Sequence, residues 1–315
     1  MELLRFKPLY KERVWGGQNL ATRLGRSLPQ GKAIGESWDI VDRDLEQSIV
    51  LEGPFEGQTL GQLLETYPEA LMGPQFPKGS PFPILVKWLD CRETLSVQVH
   101  PPQSIASELG AEPKTEYWYI LEATADAKLY LGLKPEESLE SFKSALAEDR
   151  LENLLAEVPT QAGDSFYIES GSLHAIGAGH LILEIQQNSD STYRVYDWQR
   201  VGLDGKPRQL HIKESIKSLI INDLTPSPIR IQESCETLVD RPPFRIRGYT
   251  LQPEGSPLCL PKGTSPHLIH VLEGTVTEQT SGQCLRFGES ALLPYANAGT
   301  FVAQVPSKLL ITDRF

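Results

Sequence analysis

Cysteine is scarce in this chain of 315 residues. The four cysteines, Cys91, Cys235, Cys259 and Cys284, are scattered, and none belongs to a CxxC pair. This spacing is not that of a zinc knuckle or of a disulfide framework. We therefore expect free thiols in a reducing compartment, and hence a cytoplasmic protein.

An excess of positive charge is also absent. Lys and Arg total 30 against 41 Asp and Glu, which gives a formal net charge of -11. This balance argues against a nucleic-acid or acidic-membrane surface, although a few local cations can still dominate one pocket for a small anion. No stretch approaches about 18 consecutive apolar residues, and residues 1–8 lack the features of a signal peptide. We expect neither a nucleic-acid nor a membrane partner.

Glycine and proline, in contrast, are frequent, with 25 and 24 copies. Between the turns that they indicate, β-branched and aromatic residues come in short runs, which predicts mostly β structure with a few helices. The length is sufficient for two domains. The segment Asp223-Leu-Thr-Pro-Ser-Pro has the composition of a linker, so we predict domains at residues 1–225 and 226–315.

Helical patterns are confined to a few segments. A capping-box pattern at Thr59 begins a predicted helix over 59–71. Leucine spacing over 136–157 predicts one or two amphipathic helices, which either form a wall over a site or serve as a structural cap. Further short helices are predicted over 104–109 and 211–221.

The segment Thr94–His100 alternates between apolar and polar residues. Its apolar side chains suit a sandwich core, and Gln98 and His100 share the opposite face. Glu116 lies in a second alternating segment, and His174 follows a Gly-Ser turn. These four side chains offer oxygen and nitrogen but no thiolate, which suits zinc or another borderline divalent ion with a position open to substrate.

Two cations stand in otherwise apolar strands. Lys87 interrupts a buried run, so it either extends to the surface or lies in a cavity that receives an anion. Arg194 lies on a predicted half-buried strand, where a carboxylate or a phosphate has to meet it. The structural alternative for Arg194 is an ion pair with Glu184 or Asp197.

Trp15-Gly-Gly is a further notable feature near the start of the chain. Gly16 and Gly17 allow backbone conformations that are closed to other residues. We expect a turn there, with Trp15 in the core.

The second half of the chain weakly repeats the first. Residues 267–274 resemble 117–122, which predicts two related β-sandwiches. The second copy has no imidazole at the position of His174, so His267 and His270 are interpreted as packing or surface residues. The metal is expected in the first sandwich only.

Several of these motifs, taken in order, resemble the type I mannose-6-phosphate isomerases of the cupin superfamily, in the short form that lacks a large helical insertion. The resemblance runs over essentially the whole chain and rests on Trp15-Gly-Gly, Gln98-Val-His100, Lys114-Thr-Glu116, His174, Glu184 and Arg194. It implies two cupin-like jelly-roll β-sandwiches with a small helical insertion. It also implies one zinc ion per chain, held by Gln98, His100, Glu116 and His174.

The resemblance further implies reversible interconversion of D-mannose 6-phosphate and D-fructose 6-phosphate. The sequence leaves the oligomeric state open, and we expect a monomer. Arg194, Lys114 and Glu184 are the expected catalytic residues, and Lys87, Trp15 and Arg194 the expected substrate-binding ones. A proton moves between C1 and C2 through a cis-enediol, and the base is Glu184, Lys114 or a metal-bound water. Zinc beside Lys114 is expected to lower the pKa of that lysine.

Two other functions fit the same fold. One is an iron-dependent cupin oxygenase, which Gln98 disfavours as a ligand of a redox metal. The other is a non-catalytic protein that binds a sugar phosphate, from which we would expect at least one of the metal or catalytic residues to be missing.

Overall fold

The computed structural model describes residues 2–221 and 226–315. The chain divides into two compact units that are discontinuous in sequence. Unit 1 comprises Met1–Leu9, Trp38–Val86 and Arg230–Phe315, and unit 2 comprises Tyr10–Ser37 and Lys87–Ile229. Part of the predicted linker, residues 223–225, lies outside the described residues.

Most of the described chain is in β-strands, which run in chain order as follows: β1 (Leu4–Lys7), β2 (Leu9–Gly17), β3 (Ile34–Ile40), β4 (Asp42–Arg43), β5 (Glu46–Gln47), β6 (Ile49–Val50), β7 (Ile84–Cys91), β8 (Val97–Val99), β9 (Glu116–Ala123), β10 (Lys128–Leu133), β11 (Leu155–Pro159), β12 (Ser165–Ile168), β13 (His174–Ile176), β14 (His180–Gln187), β15 (Tyr193–Tyr196), β16 (Cys235–Arg241), β17 (Phe244–Leu251), β18 (Leu258–Leu260), β19 (His267–Glu273), β20 (Thr275–Glu278), β21 (Cys284–Arg286), β22 (Ser290–Leu293), β23 (Gly299–Ala303) and β24 (Ser307–Asp313).

The helices are short: α1 (Asn19–Thr22), α2 (Leu60–Thr66), α3 (Pro68–Met72), α4 (Gln103–Ala106), α5 (Leu139–Ala147), a 3₁₀ helix (Leu151–Leu154) and α6 (Ile212–Ser218). The helix predicted over 59–71 begins at Thr59 with the expected capping box but breaks at Tyr67, because Pro68 starts a second helix. The segment predicted as helical over 136–157 ends instead in strand β11.

Unit 2 is a sandwich of two antiparallel sheets. The first sheet has the strand order β11-β10-β13-β8-β15, and the second has the order β12-β9-β14-β7-β2-β3. Only parts of β7, β2 and β3 belong to unit 2. Side chains from both sheets, such as Leu129 and Ile176 from the first and Trp118 and Ile182 from the second, form one buried core. The mostly β fold with a small helical segment is as predicted.

A second apolar layer lies on the outer face of the five-stranded sheet. Val97 and Val99 of β8 pack there with Phe142 and Ala145 of α5. The prediction that the apolar face of Thr94–His100 points into the sandwich was therefore wrong for both valines, because the helical segment supplies a core of its own. Consequently the polar face of β8 points between the sheets.

Unit 1 is also built from two antiparallel sheets, with the strand orders β16-β17-β24-β19-β22-β1-β6 and β18-β23-β20-β21. Residues of both sheets, among them Ile269, Val276 and Phe301, share a buried core. Strand β1 belongs to this unit because it pairs with β22, with Leu4 opposite Leu292. The predicted domains, 1–225 and 226–315, differ from these units in the placement of the segments before residue 87, and that division stays a prediction.

Gly16 and Gly17 do not form the predicted turn. Both lie at the end of strand β2, and neither has a positive φ. A Cβ at Gly16 would lie 2.5 Å from the backbone nitrogen of Gly35, and one at Gly17 would lie 2.5 Å from Asp90 Oδ1. Close approach of the neighbouring backbone at Gly16, and of the Asp90 carboxylate at Gly17, rather than a special conformation, therefore favours glycine at these positions.

All four cysteines are free thiols, with Cys91 buried and the other three at least partly exposed. Within the described ranges, no helix is long and apolar enough to cross a membrane.

The histidines of unit 1 are buried. His270 Nδ1 lies 2.9 Å from Ser290 Oγ, and its Nε2 lies 3.2 Å from Thr312 Oγ1. Burial lowers the pKa of His270 to about 3. His267 is 2% exposed and lies 3.7 Å from Asp313. Both side chains pack inside the unit, in agreement with their interpretation as packing residues.

We predict that His270→Gln reduces the acid sensitivity of folding. Since the folded pKa is below the unfolded value of about 6.5, the unfolded chain binds the extra proton, and stability falls as pH decreases through this window. One such group contributes about 1.4 kcal/mol per pH unit well inside the window. When the free energy of unfolding is measured with urea between pH 5 and 7.5 and plotted against pH, the variant should show a shallower slope than wild type. Equal slopes would contradict the prediction.

Candidate metal centre and active site

The predicted ligands come from both sheets of unit 2. Gln98 lies in β8, His100 follows that strand, and His174 begins β13 directly opposite Gln98. Glu116 begins β9 in the other sheet. Because the polar face of β8 points between the sheets, the four side chains can meet in the interior of the sandwich.

The side chains of His100, Glu116 and His174 form a buried cluster that could hold a metal ion, with ligand atoms within 4.8 Å of one another. His100 Nε2 lies 3.2 Å from Glu116 Oε1, and His174 Nε2 lies 3.8 Å from Glu116 Oε2. Gln98 joins the cluster through its amide nitrogen, 3.2 Å from His174 Nε2.

Backbone carbonyls orient both imidazoles. His100 Nδ1 donates to the carbonyl oxygen of Ser191 at 2.8 Å, and His174 Nδ1 donates to that of Ser172 at 2.9 Å. Burial lowers the pKa of His174 and, together with the positive charge of Lys114, lowers that of His100 to about 3. Both rings are therefore neutral, with the Nε2 lone pair directed into the cluster, which is the state that a metal ligand requires.

Glu116 is fully buried and ionised. Burial by itself raises the pKa of its carboxyl group, but Lys114, His100 and His174 outweigh this and hold the pKa well below its usual range. Lys114 Nζ forms an ion pair with Oε1 at 2.8 Å, yet neither carboxylate oxygen accepts a well-directed hydrogen bond. A buried anion with unused lone pairs, beside two neutral imidazoles, fits a divalent cation.

A cavity of about 550 Å³ adjoins the cluster. All the predicted substrate-binding and catalytic residues line it, namely Trp15, Lys87, Lys114, Glu184 and Arg194, as does Gln98. None of the residues of the helical segment 136–157 is among its lining residues, so that segment is a structural cap rather than a wall of the site.

Three comparisons identify relatives of this chain. Residues 3–156 match the family model described as phosphomannose isomerase type I, catalytic domain. The mannose-6-phosphate isomerase ManA of Bacillus subtilis is 37% identical over 304 residues, which is 93% of each chain. The mannose-6-phosphate isomerase of Streptococcus mutans is 37% identical over 90% of this chain and 89% of its own. The chain belongs to the type I phosphomannose isomerase family.

Solved structures agree with this membership. The crystal structure of the mannose 6-phosphate isomerase of Bacillus subtilis superposes with a TM-score of 0.86 at 30% identity, over 99% of each chain. The predicted fold class and enzyme class, an aldose–ketose isomerase, are thereby confirmed.

Glu184 lies in β14 and lines the cavity. It is 4% exposed, and its Oε2 lies 3.4 Å from Lys87 Nζ. Burial, reinforced by the negative charge of Glu116, raises the pKa of Glu184, although Lys87 and Lys114 partly oppose this. Lys87 is 4% exposed and lines the cavity, so of the two predicted possibilities it takes the cavity position.

Arg194 does not form the structural ion pair that was the alternative interpretation. Asp197 is bound by Arg200 and Arg208 instead. Within the described part of the chain, no carboxylate pairs with Arg194: its Nη1 donates to the carbonyl oxygen of Gln209 at 2.9 Å, and its buried Nε has no hydrogen-bond partner. The guanidinium therefore has donors available on the cavity wall.

Sequence reasoning missed several residues of the site. Trp118 donates an indole hydrogen bond to Glu184, and Arg13 pairs with Glu36 on the cavity wall at 2.8 Å. Trp118 lies two residues after Glu116, so strand alternation gave a signal for it. Arg13 and Glu36 come from separate strands, and without the strand register they gave none.

We predict that His174→Ala weakens divalent-metal binding by roughly 10² or more, since loss of a direct ligand costs at least as much as loss of an outer-shell partner. Titration of the metal-free protein with Co²⁺, followed by absorbance, measures this. His180→Ala is a matched control, because His180 is equally buried but bonds only to Thr160 and Gly177. Equal affinities in the two variants would exclude His174 from the centre.

Proposed function

We propose that this chain interconverts D-mannose 6-phosphate and D-fructose 6-phosphate. Its relatives carry the name mannose-6-phosphate isomerase. One observation carries the proposal. The buried Glu116 carboxylate lies between two neutral imidazoles, next to a cavity that presents Glu184, Lys87 and Arg194. A sugar phosphate needs such a combination of a metal position, a buried base and cations. We further propose, from the sequence, that the enzyme is a cytoplasmic monomer.

The proposed cofactor is one zinc ion per chain, held by Gln98, His100, Glu116 and His174. The two imidazoles offer nitrogen donors, Glu116 offers a carboxylate oxygen, and Gln98 would offer its amide oxygen once the amide group is turned over; such a set without thiolate suits a catalytic zinc site. When bound, the ion supplies Lewis-acid stabilisation for the negative charge that develops on the sugar oxygens. A neutral Gln98 in place of a second carboxylate leaves more positive charge on the ion.

Glu184 is the proposed proton carrier. Its carboxylate takes the proton from C2 of the open-chain aldose, and a cis-enediol forms as O1 gains a proton. The carboxylate then returns its proton to C1 while O2 loses one, so the net movement is one proton from C2 to C1 and one from O2 to O1. Burial and the nearby Glu116 raise the pKa of Glu184, so that it binds a proton more readily than an exposed glutamate. Its position on the cavity wall gives it access to substrate.

Lys114 is proposed to donate to the sugar oxygens rather than to act as the base. Burial lowers its pKa, but the carboxylates of Glu116 and Glu184 more than offset this, so the pKa is raised. This direction is opposite to the one expected from a neighbouring zinc ion alone. A protonated Lys114, 2.8 Å from Glu116, is a hydrogen-bond donor.

The anionic end of the substrate is proposed to lie near Arg194. Over the whole cavity wall, cationic and acidic side chains are equal in number, so no general positive potential attracts the phosphate. Locally, however, Arg208 is paired with Asp197, whereas Arg194 pairs with no carboxylate among the described residues. An arginine with donors available on the cavity wall suits a phosphate.

We predict that the zinc-loaded protein converts mannose 6-phosphate to fructose 6-phosphate and that the metal-free protein does not. A coupled assay for fructose 6-phosphate, together with metal analysis, tests this. One zinc per chain with turnover supports the proposal. Iron with oxygen uptake would indicate a cupin oxygenase, and tight binding of mannose 6-phosphate without turnover would indicate a non-catalytic binding protein.

Arg194→Ala should retain zinc but lose turnover by roughly 10² or more, the scale of a lost transition-state contact. Steady-state kinetics and zinc content measure the two effects. Arg92→Ala is the control, because Arg92 is exposed, pairs with Glu93 and does not line the cavity. Near-wild-type kinetics for Arg194→Ala would leave it without a role in the reaction.

A further inference from the structure

Glu184 needs more than burial to be useful as a base. It is 4% exposed, and the negative charge of Glu116 acts on it. A buried carboxylate in such surroundings is stable and held in one orientation only if donors bind its oxygens. The donors on Glu184 therefore decide where its oxygens point.

Among the described residues, two side chains contact Glu184, one at each oxygen. Trp118 Nε1 donates a hydrogen bond to Oε1 at 2.9 Å, and Lys87 Nζ forms an ion pair with Oε2 at 3.4 Å. The contact with Trp118 has the length of a good hydrogen bond, whereas the one with Lys87 is longer than most. Trp118 thus makes the stronger directional contact.

Trp118 is itself fixed by its strand. It lies in β9 directly opposite Glu184 of β14 and, on the other side, opposite Phe166 of β12. Directly opposite residues of an antiparallel pair share a face and lie close together, so the register itself brings the indole to the carboxylate. The indole is 0% exposed and has little room to move.

The same indole also contacts the metal centre. Its ring packs edge-to-face on the imidazole of His174, with ring centroids 5.4 Å apart and an interplanar angle of 74°. A single rigid side chain therefore contacts both the proposed base and a proposed metal ligand.

We propose that Trp118 is a positioning residue, which holds the Glu184 carboxylate at a fixed place relative to His174. This inference rests on the proposed function, because it concerns how Glu184 reaches the substrate. Trp118 does not line the cavity and so acts through Glu184. Phenylalanine can replace the aromatic ring of Trp118 but not its N–H donor.

The experiment compares wild type with Trp118→Phe in the zinc-loaded enzyme. We expect kcat to fall roughly 10- to 100-fold, the effect of losing one hydrogen bond to a charged group, with KM changed less than about threefold. Zinc content should stay at the wild-type value. An unchanged kcat, or a fall that is explained by lost zinc, would overturn the proposal.

Trp88→Phe is the matched control. Trp88 is also 0% exposed, but its Nε1 has no hydrogen-bond partner among the described residues. The same substitution there removes similar buried volume without removing a hydrogen bond. If Trp88→Phe lowered kcat as much as Trp118→Phe, general packing would account for the effect, and the proposal would be wrong.

A double-mutant cycle with Glu184→Gln separates positioning from packing. If Trp118 acts through the carboxylate, Trp118→Phe should lower kcat much less in the Glu184→Gln background than in wild type. Equal effects in both backgrounds would overturn the proposal. A wild type without isomerase activity would refute the proposed function itself, whereas an active wild type with an unaffected Trp118→Phe variant would refute positioning alone.

A spectroscopic measurement tests the hydrogen bond without the Trp118→Phe variant. In protein labelled with ¹⁵N-tryptophan, the indole N–H resonance of Trp118 should move upfield in Glu184→Gln, because its acceptor loses charge. The resonance of Trp88 should stay in place. A Trp118 resonance that is insensitive to Glu184→Gln would show that the hydrogen bond is absent in solution, against the proposal.

Discussion

The ionised carboxylate of Glu116, buried between the sheets of unit 2, is the constraint on which the site depends. A charge without access to water is stable only beside compensating groups. Lys114 supplies the opposite charge, and His100 and His174 present neutral nitrogens around it. Such an arrangement still leaves carboxylate lone pairs unused, so it can accept a cation. Strands β9 and β13 place Glu116 and His174, whereas His100 and Lys114 lie just outside β8 and β9.

The sequence indicated which polar side chains gather in the interior of unit 2, and it did so for a physical reason. Alternation along Thr94–His100 assigned Gln98 and His100 to one face without any knowledge of the fold. The same pattern did not say which face points inward, since two apolar layers cover the two sides of the five-stranded sheet. Val97 and Val99 went to the outer layer with α5. Periodicity defines faces, and tertiary packing decides which of them becomes the interior of the sandwich.

Other parts of the site could not be predicted from the sequence, because they depend on pairing between distant strands. The contact between Trp118 and Glu184 follows from the register of β9 and β14, and the pair of Arg13 and Glu36 joins two further strands. Local signals failed elsewhere for simpler reasons. Pro68 divided a helix that apolar spacing predicted as continuous, and Leu155 entered strand β11.

The pairing of β1 with β22 has a consequence for synthesis on the ribosome. Leu4 is translated long before its partner Leu292. Unit 2, whose residues end at Ile229, is fully translated before that partner exists, whereas the large sheet of unit 1 cannot be completed until β22 and β24 have been made. The unit that carries the His100, Glu116 and His174 cluster can therefore fold first, while strand β1 has only β6 to pair with until β22 is made.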